Sequence, residues 1–295
     1  MLKAAYDAEA SYRVTESDIE YLRHGETPYL ARMFQPEGEG PFPMIVSVHG
    51  GAWNGGSRLG QDYINRGLAA SGIVVASVDF RLAPEHPYPG QVQDVHYAVR
   101  WLKAQADELH GDAEAVGMWG GSSGGNTALL CALRPSDPRY GALDSAETRG
   151  FDATVGFVIS CWGVLDPWVR YEFARTTPAA GEGFGGAESK LRQTLGYFLN
   201  ESGMHDGNPQ EVLERGEAEA LPALLIIQGT EDMNIPLTLP QRFAPAYRAL
   251  GGTVRVEWFP GQPHSFIHGP TEESARAVAL MREFIRASIG QPALT

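Results

Sequence analysis

The sequence predicts an α/β fold built on a mostly parallel β-sheet with helices on both faces. Short, continuously apolar runs such as Met44–Val48 and Ala223–Ile227 alternate with longer segments of helical periodicity. Continuously apolar strands are typical of a sheet covered on both faces, and strand–helix alternation is typical of parallel βαβ units. Because α/β folds of 295 residues often form one domain, we expect a single domain over residues 1–295.

Apolar runs predict seven strands, at Leu30–Phe34, Met44–Val48, Ile73–Asp79, Ala115–Trp119, Thr154–Ser160, Ala223–Ile227 and Val254–Phe259. Apolar residues at steps of three and four predict helices at Gln91–Leu109, Glu188–Leu199, Leu239–Leu250 and Glu272–Ile289. The first two strands flank the turn-rich segment Pro36–Pro43. We therefore expect these two strands to form an antiparallel hairpin at one edge of the sheet.

The segment Trp162–Arg215 interrupts the alternation and is too long for an ordinary connection between two strands. It contains a glycine-rich run, Gly181–Gly186, and a predicted helix with Leu191, Leu195 and Phe198 on one face. We expect this insertion to form a cap over the carboxyl edge of the sheet. The alternative is a surface embellishment that has no contact with a substrate.

Charge and cysteine content narrow the possible partners and location. The formal net charge of −13 repels nucleic-acid phosphates and anionic lipids, so neither is an expected partner. Cys131 and Cys161 lie in apolar runs, which favours buried thiols over a disulfide. Residues 1–18 lack an apolar signal core, and no run approaches 18 uninterrupted apolar residues, which favours a cytoplasmic protein. A homodimer is compatible with the sequence, which does not specify oligomeric state.

The strongest local motif is Gly120–Asn126, GGSSGGN, between a predicted strand and the helical run NTALLCAL. A G-x-S-x-G sequence at a strand-to-helix turn is typical of a nucleophile elbow, in which glycines permit a tight turn that exposes the serine oxygen. By spacing alone, both Ser122 and Ser123 fit this motif. The alternative is a glycine-rich helix start with a capping serine.

A second motif, HGGAW at His49–Trp53, directly follows the strand MIVSV. Attack on an ester carbonyl creates an oxyanion that needs fixed hydrogen-bond donors, and glycines let a backbone turn its N–H groups toward such a site. His49 is interpreted as a support of this loop. The alternative is an ordinary turn between a strand and a helix.

Two late loops supply candidates for an acid and a base. Glu231 and Asp232 follow the strand ALLII, where a carboxylate that orients a histidine is expected, although a helix cap is the alternative. His264 follows the last strand and can reach both this carboxylate and the elbow. His268 lies four residues further on, but no third ligand with suitable spacing is visible. We therefore expect no metal, and chemistry carried by a serine, a histidine and a carboxylate needs no organic cofactor.

The motifs HGGAW, DFRLAPEHPYPGQVQDV (Asp79–Val95) and GGSSGGN together resemble the hormone-sensitive-lipase-like branch of the α/β-hydrolases. They are also similar to the neighbouring feruloyl-esterase-like and kynurenine-formamidase-like bacterial enzymes. The resemblance covers Met44 to the C-terminus apart from the cap. It implies the α/β-hydrolase fold, with a mostly parallel central sheet, flanking helices and the cap inserted before the late strands. Within the Asp79–Val95 stretch, Arg81, Glu85 and Asp94 are interpreted as structural.

The resemblance also implies roles for individual residues. The family pattern GDSAGGN, laid on GGSSGGN, makes Ser122 the nucleophile, with Asp232 and His264 completing a catalytic triad. It assigns the backbone N–H groups of Gly51, Ala52 and Ser123 to the oxyanion hole. This chain departs from the pattern at Gly121, where an acidic residue is usual, and at Ala52, where a third glycine is usual.

The expected function is a carboxylesterase-type serine hydrolase that acts on small-molecule esters with short acyl or aryl and alkyl groups. An amide, formamide or carbamate hydrolase with the same triad is the alternative, and a non-catalytic ligand receptor on this fold is the remote one. Four residues are candidates for the substrate pocket: Trp53, Trp162, Leu195 and Phe198.

Overall fold

The computed structural model describes residues 9–289, so residues 1–8 of the N-terminal segment and residues 290–295 lie outside this range. Eight strands of this range form one sheet in the order β1-β2-β4-β3-β5-β6-β7-β8. The strands are β1 (Val14–His24), β2 (Thr27–Pro36), β3 (Phe42–Val48), β4 (Val74–Val78), β5 (Gly111–Gly121), β6 (Phe157–Cys161), β7 (Ala223–Gly229) and β8 (Val254–Phe259). Strand β2 pairs antiparallel with β1 and β4, and the strands from β4 to β8 along the sheet pair in parallel.

Helices of the described range cover both faces of this sheet. They are α1 (Asp62–Ala69), α2 (Gly90–Ala104), α3 (Ser123–Leu133), α4 (Pro167–Thr176), α5 (Gly186–Phe198), α6 (Glu201–Asp206), α7 (Pro209–Glu214), α8 (Thr238–Ala249) and α9 (Glu272–Ser288). Side chains of β3 alternate between two cores: Met44 and Val46 belong to the core that also contains residues of α2, α3 and α8, and Ile45 belongs to the core that contains residues of α1 and α9. This two-sided burial explains the continuously apolar strands.

The predicted hairpin between β2 and β3 is wrong. Strand β4 lies between them, and β2 forms its hairpin with β1 instead. The sequence prediction missed β1, VTESDIEYLRH, because most of its side chains are exposed at the sheet edge and leave no apolar run. The turn-rich segment between β2 and β3 is therefore a crossover and not a hairpin turn.

A buried carboxylate ties this edge to the rest of the fold. Asp94 on α2 accepts hydrogen bonds from Arg81 through the backbone N–H (2.8 Å) and the guanidinium (2.8 Å), and its other contact is His24 of β1 (2.9 Å). A fully buried charge needs such partners. The interpretation of Arg81 and Asp94 as structural agrees with these contacts, and Glu85 is exposed.

The helix α5 was predicted to bury Leu191, Leu195 and Phe198, and this is wrong for Leu195, which is 37% exposed. The buried face instead carries Lys190, Thr194, Tyr197 and Phe198. Polar residues occupy it because the neighbouring helix α4 presents a buried guanidinium, from Arg170, which donates to Thr194 Oγ1 at 3.1 Å.

The two cysteines lie in the interior of the fold. Cys131 and Cys161 are buried free thiols, which confirms the sequence prediction, and burial raises the pKa of Cys131 to about 12. Between residues 9 and 289, no helix is both long and apolar enough to cross a membrane.

Candidate active site

Ser122 lies at a sharp turn between β5 and α3, where its backbone has φ 55° and ψ −121°. This turn needs glycine on both sides. A Cβ atom on Gly120 would lie 2.4 Å from the Gly124 carbonyl oxygen, and one on Gly124 would lie 2.1 Å from that of Val48. Of the two candidate serines, the structure places Ser122 at the apex, while Ser123 begins α3.

Three loops at the carboxyl ends of β5, β7 and β8 bring a serine, a carboxylate and an imidazole together. Ser122 Oγ lies 3.1 Å from His264 Nε2, and His264 Nδ1 lies 2.8 Å from Asp232 Oδ2. Asp232 Oδ1 accepts the backbone N–H groups of Asn234 and Ile235, each at 2.8 Å. With these bonds the carboxylate is fixed, and it in turn fixes the imidazole tautomer that leaves Nε2 free to accept the serine proton.

Of the two candidate acids, Asp232 is buried and Glu231 is exposed. Gln228 at the end of β7 donates its side-chain N–H to Asp232 Oδ2 at 2.9 Å. Burial raises the pKa of Asp232, but the hydrogen bonds from His264 and the backbone outweigh it and hold this pKa below its usual value. Burial lowers the pKa of His264, although Asp232 opposes this effect. The site is therefore built to hold an ionised Asp232 beside a neutral His264.

The loop after β3 has three consecutive residues in the left-handed region: Gly51 at φ 126°, Ala52 at φ 52° and Trp53 at φ 63°. Such a backbone costs about 1–3 kcal/mol for each non-glycine residue and needs support. Ser123 supplies part of it, because Trp53 N–H donates to Ser123 Oγ at 3.2 Å. Trp53 O also accepts a bond from Gln91 Nε2 at 2.6 Å.

The three predicted donor residues for an oxyanion therefore meet around Ser122. Gly51, Ala52 and Ser122 line one cavity, and Ser123 is the first residue of α3, where helical N–H groups have no intrahelical acceptor. His49 packs behind the loop, with its ring stacked on Phe80 at 4.1 Å and its Nδ1 at 2.8 Å from Gly50 O. Burial lowers the pKa of His49, so it is neutral at pH 7.

The cavity above Ser122 has a volume of about 370 Å³. Of the predicted pocket residues, Trp162 lines it, and Trp53, Leu195 and Phe198 do not. Trp53 is 1% exposed and stacks on Tyr197 at 5.2 Å, because it fills the core between the HGGAW loop and α5. Phe198 packs edge-on against Trp53 at 5.0 Å in the same core.

Sequence reasoning missed several cavity residues: Gln61, Phe184, Lys190, Gln193, Asn234 and His268. Phe184 belongs to the glycine-rich run 181–186, and its ring lies edge-on to His264 at 5.2 Å. The sequence did contain a signal for Phe184 as a cavity residue, because it is an apolar residue inside a glycine-rich loop. Lys190 interrupts an otherwise ordinary amphipathic helix, and its position on the buried face could not be read from apolar spacing.

The structure gives no support to a metal at His264 and His268. Both ring nitrogens of His264 are engaged, by Ser122 and Asp232. Nowhere in the described part of the chain do three His, Cys, Asp or Glu side chains cluster in a way that could hold a metal ion.

A mostly parallel sheet with a serine elbow, a late carboxylate and a final-loop histidine defines the class of α/β-hydrolases. The comparison with solved structures agrees: a hyperthermophilic esterase from the archaeon Pyrobaculum calidifontis superimposes with a TM-score of 0.75 and 25% identity, over 95% of this chain and 87% of that one. The thermophilic carboxylesterase EstE1, from a metagenomic library, shares the fold with a TM-score of 0.73 and 23% identity, over 96% and 91% of the two chains.

Within this class, the chain belongs to the BD-FAE family, whose sequence model matches residues 33–246. It is similar to Esterase LipC of Mycobacterium tuberculosis (strain ATCC 25618 / H37Rv), with 31% identity over 85% of this chain and 60% of that protein. Carboxylic ester hydrolase LipN of the same strain is 30% identical over 83% of this chain and 62% of that protein. The chain thus spans about three fifths of the length of these relatives.

Proposed function

We propose that the protein is a serine hydrolase that cleaves carboxylic esters through an acyl-enzyme. The observation that carries this proposal is the continuous set of hydrogen bonds from Ser122 Oγ through His264 to Asp232. A serine hydroxyl is a weak nucleophile until a neighbouring base removes its proton during attack. The relatives whose names describe ester hydrolysis, LipC and LipN, add support for an ester as the substrate.

In the proposed first half-reaction, His264 Nε2 accepts the Ser122 proton as Oγ attacks the ester carbonyl. The backbone N–H groups of Gly51, Ala52 and Ser123 stabilise the tetrahedral oxyanion, assisted by the positive end of the α3 dipole. Asp232 stabilises the imidazolium that forms. His264 then protonates the leaving alcohol.

In the second half-reaction, water replaces the alcohol. His264 accepts a proton from this water, the hydroxyl attacks the acyl carbonyl, and the proton returns to Ser122 as the acid leaves. The chemistry needs only groups of this chain and one water molecule. The same atoms would serve an amide, a formamide or a carbamate. We propose an ester as the substrate because the names of the relatives LipC and LipN describe ester hydrolysis.

The test is covalent trapping combined with turnover. An alkyl phosphonate fluoride or a short para-nitrophenyl ester should label Ser122, located by mass spectrometry of the digested protein, and the ester should release a burst of nitrophenol. Ser122→Ala should prevent both the label and the burst while its unfolding temperature stays near that of the wild type. Labelling at Ser123, or turnover in Ser122→Ala, would contradict the proposal. A panel of aryl esters, anilides and carbamates measures the preference among leaving groups.

We further propose that residues 162–215 act as a cap on a single catalytic domain and determine which substrates fit. Four residues of this segment line the Ser122 cavity: Trp162, Phe184, Lys190 and Gln193. Asn54, in the loop after the oxyanion residues, donates to the Gln193 carbonyl oxygen at 3.0 Å and so joins this loop to α5. The homodimer and the cytoplasmic location stay predictions from the sequence.

A further inference from the structure

One cationic side chain enters the Ser122 cavity from the cap. Lys190 on α5 is only 5% exposed, and it lines the same cavity as Ser122 and His264. Nineteen residues of the described range line this cavity, and none of them is Asp or Glu. A buried charge is costly unless a partner compensates it, so an ammonium group on this wall requires an explanation.

The protein satisfies Lys190 only in part. Its Nζ donates to the Phe184 carbonyl oxygen at 2.7 Å and lies 5.3 Å from the centre of the Phe184 ring. An ammonium group has three donors. Lys103 forms an ion pair with Asp152 at 2.7 Å, whereas Lys190 forms none with any carboxylate of residues 9–289. Within the described part of the chain, no carboxylate therefore contacts this ammonium group directly.

The surroundings of Lys190 make this wall more positive. Arg170, 2% exposed, is near enough for its charge to act on Lys190, and it donates to Asn234 Oδ1 at 2.8 Å. Because Arg170 occupies that oxygen, Asn234 is left with its amide N–H₂ group for a ligand in the cavity that it lines. Burial and the charge of Arg170 lower the pKa of Lys190 to about 8, against the opposing effect of Asp232. At pH 7 most molecules still carry the ammonium ion.

We propose that the ester cleaved at Ser122 carries a carboxylate, remote from the reacting carbonyl, that binds Lys190 and accepts a second hydrogen bond from Asn234. This inference rests on the proposed function, because both concern the same cavity. A substrate carboxylate would be the direct ionic partner that Lys190 lacks. A hydrogen bond between an ammonium and a carboxylate group is stronger than one between neutral groups. The carboxylate belongs to the acyl or to the alcohol part of the ester, and the experiment separates these two cases.

The test compares esters that differ in one charge. In the acyl arm, para-nitrophenyl half-esters of succinic, glutaric and adipic acid are compared with neutral para-nitrophenyl esters of equal chain length. In the alcohol arm, para-acetoxybenzoate is compared with para-acetoxybenzamide. The spontaneous hydrolysis rate in buffer is subtracted from every measured rate. We expect the charged ester to have a kcat/KM about tenfold or more above its neutral partner in one arm.

The variants assign this preference to one side chain. Lys190→Met should lower the charged-to-neutral ratio by about tenfold, and Lys190→Arg should restore part of it, because it keeps the charge. Lys103→Met, at the ion pair with Asp152, is the matched control and should leave the ratio unchanged. The ratio is independent of any common loss of activity, and a wild-type ratio near one overturns the inference even if a variant does not fold.

Each outcome separates the two proposals. A wild-type enzyme that hydrolyses neutral esters as fast as charged ones in both arms overturns this inference and leaves the proposed function standing. A preference that persists in folded Lys190→Met also overturns it. If the wild type hydrolyses no ester in either arm, the proposed function fails and this inference fails with it.

Discussion

The hydroxyl groups of Ser122 and Ser123 have different tasks, and Ser123→Ala is expected to reveal the second one. Ser123 Oγ accepts the N–H of Trp53 at 3.2 Å, and Trp53 is 1% exposed. Removing Oγ leaves this N–H buried without its partner, which costs about 1–3 kcal/mol. Because the bond is long, we take the lower end, a loss of about 1 kcal/mol in the free energy of unfolding.

The same substitution should lower activity only modestly. Trp53 follows Gly51 and Ala52, so a looser Trp53 lets their N–H groups move away from the oxyanion. About 1.4 kcal/mol corresponds to a tenfold change in rate, so kcat/KM should fall by no more than about tenfold. Ser122→Ala removes the nucleophile itself and should cost about 10⁴-fold or more in kcat.

The assay needs two measurements on both variants: kcat/KM on para-nitrophenyl butyrate, and urea unfolding followed by circular dichroism. We expect Ser122→Ala to lose activity and Ser123→Ala to lose stability in urea. An equal loss of activity in the two variants would refute the assignment of the nucleophile. A Ser123→Ala protein with wild-type stability and wild-type activity would refute the role of its hydroxyl as an anchor of the loop.

Three further outcomes are expected. Burial lowers the pKa of His264 below 6.5, so kcat/KM should rise with pH through a midpoint below 6.5 and stay level above it; a midpoint above 6.5 in the measured profile would contradict this. Gly124→Ala places Cβ 2.1 Å from a carbonyl oxygen of β3 and should destabilise by about 3 kcal/mol in urea unfolding. Gly156→Ala, with its nearest atom at 3.9 Å, is the control, and equal stability of the two variants would refute the steric argument. Phe184→Ala should change the ratio of kcat/KM between short and long acyl esters by an amount equivalent to about 1–3 kcal/mol, while Leu195→Ala should leave this ratio unchanged. The reverse result would support the sequence-based prediction that Leu195 lines the substrate pocket.

The parallel part of the sheet could be predicted because strands buried on both faces leave an unbroken apolar run, as in β3 and β7. Strand β1 could not, because its exposed edge position removes that signal. The hairpin error has the same origin: once β1 is missed, β2 lacks its true partner and its nearest predicted neighbour in sequence is β3. Strand order depends on long-range pairing, which local periodicity does not encode.

The reacting groups and the cavity walls differ in how far local sequence determines them. Ser122, Asp232 and His264 lie in the loops that follow β5, β7 and β8, so their motifs and the carboxyl-edge rule for parallel sheets bring them together. Phe184 and Lys190 come from the insertion, where side-chain direction depends on how α4 and α5 pack. The apolar spacing of α5 selected Leu195, but the buried guanidinium of Arg170 turns a polar face inward.

The helix α3 that starts at Ser123 is enclosed on every side, since all eleven of its residues are buried. Once an ester fills the cavity, its bulk keeps mobile ions away from the first turn of α3, and screening by salt acts mainly on charges that solvent reaches. The field of its aligned peptide groups therefore acts on the reacting oxygen with nearly the same strength in dilute buffer and in concentrated salt. Ionic strength would then affect how a charged ester approaches this acidic protein, and would leave the rate of bond breaking in the bound complex almost constant.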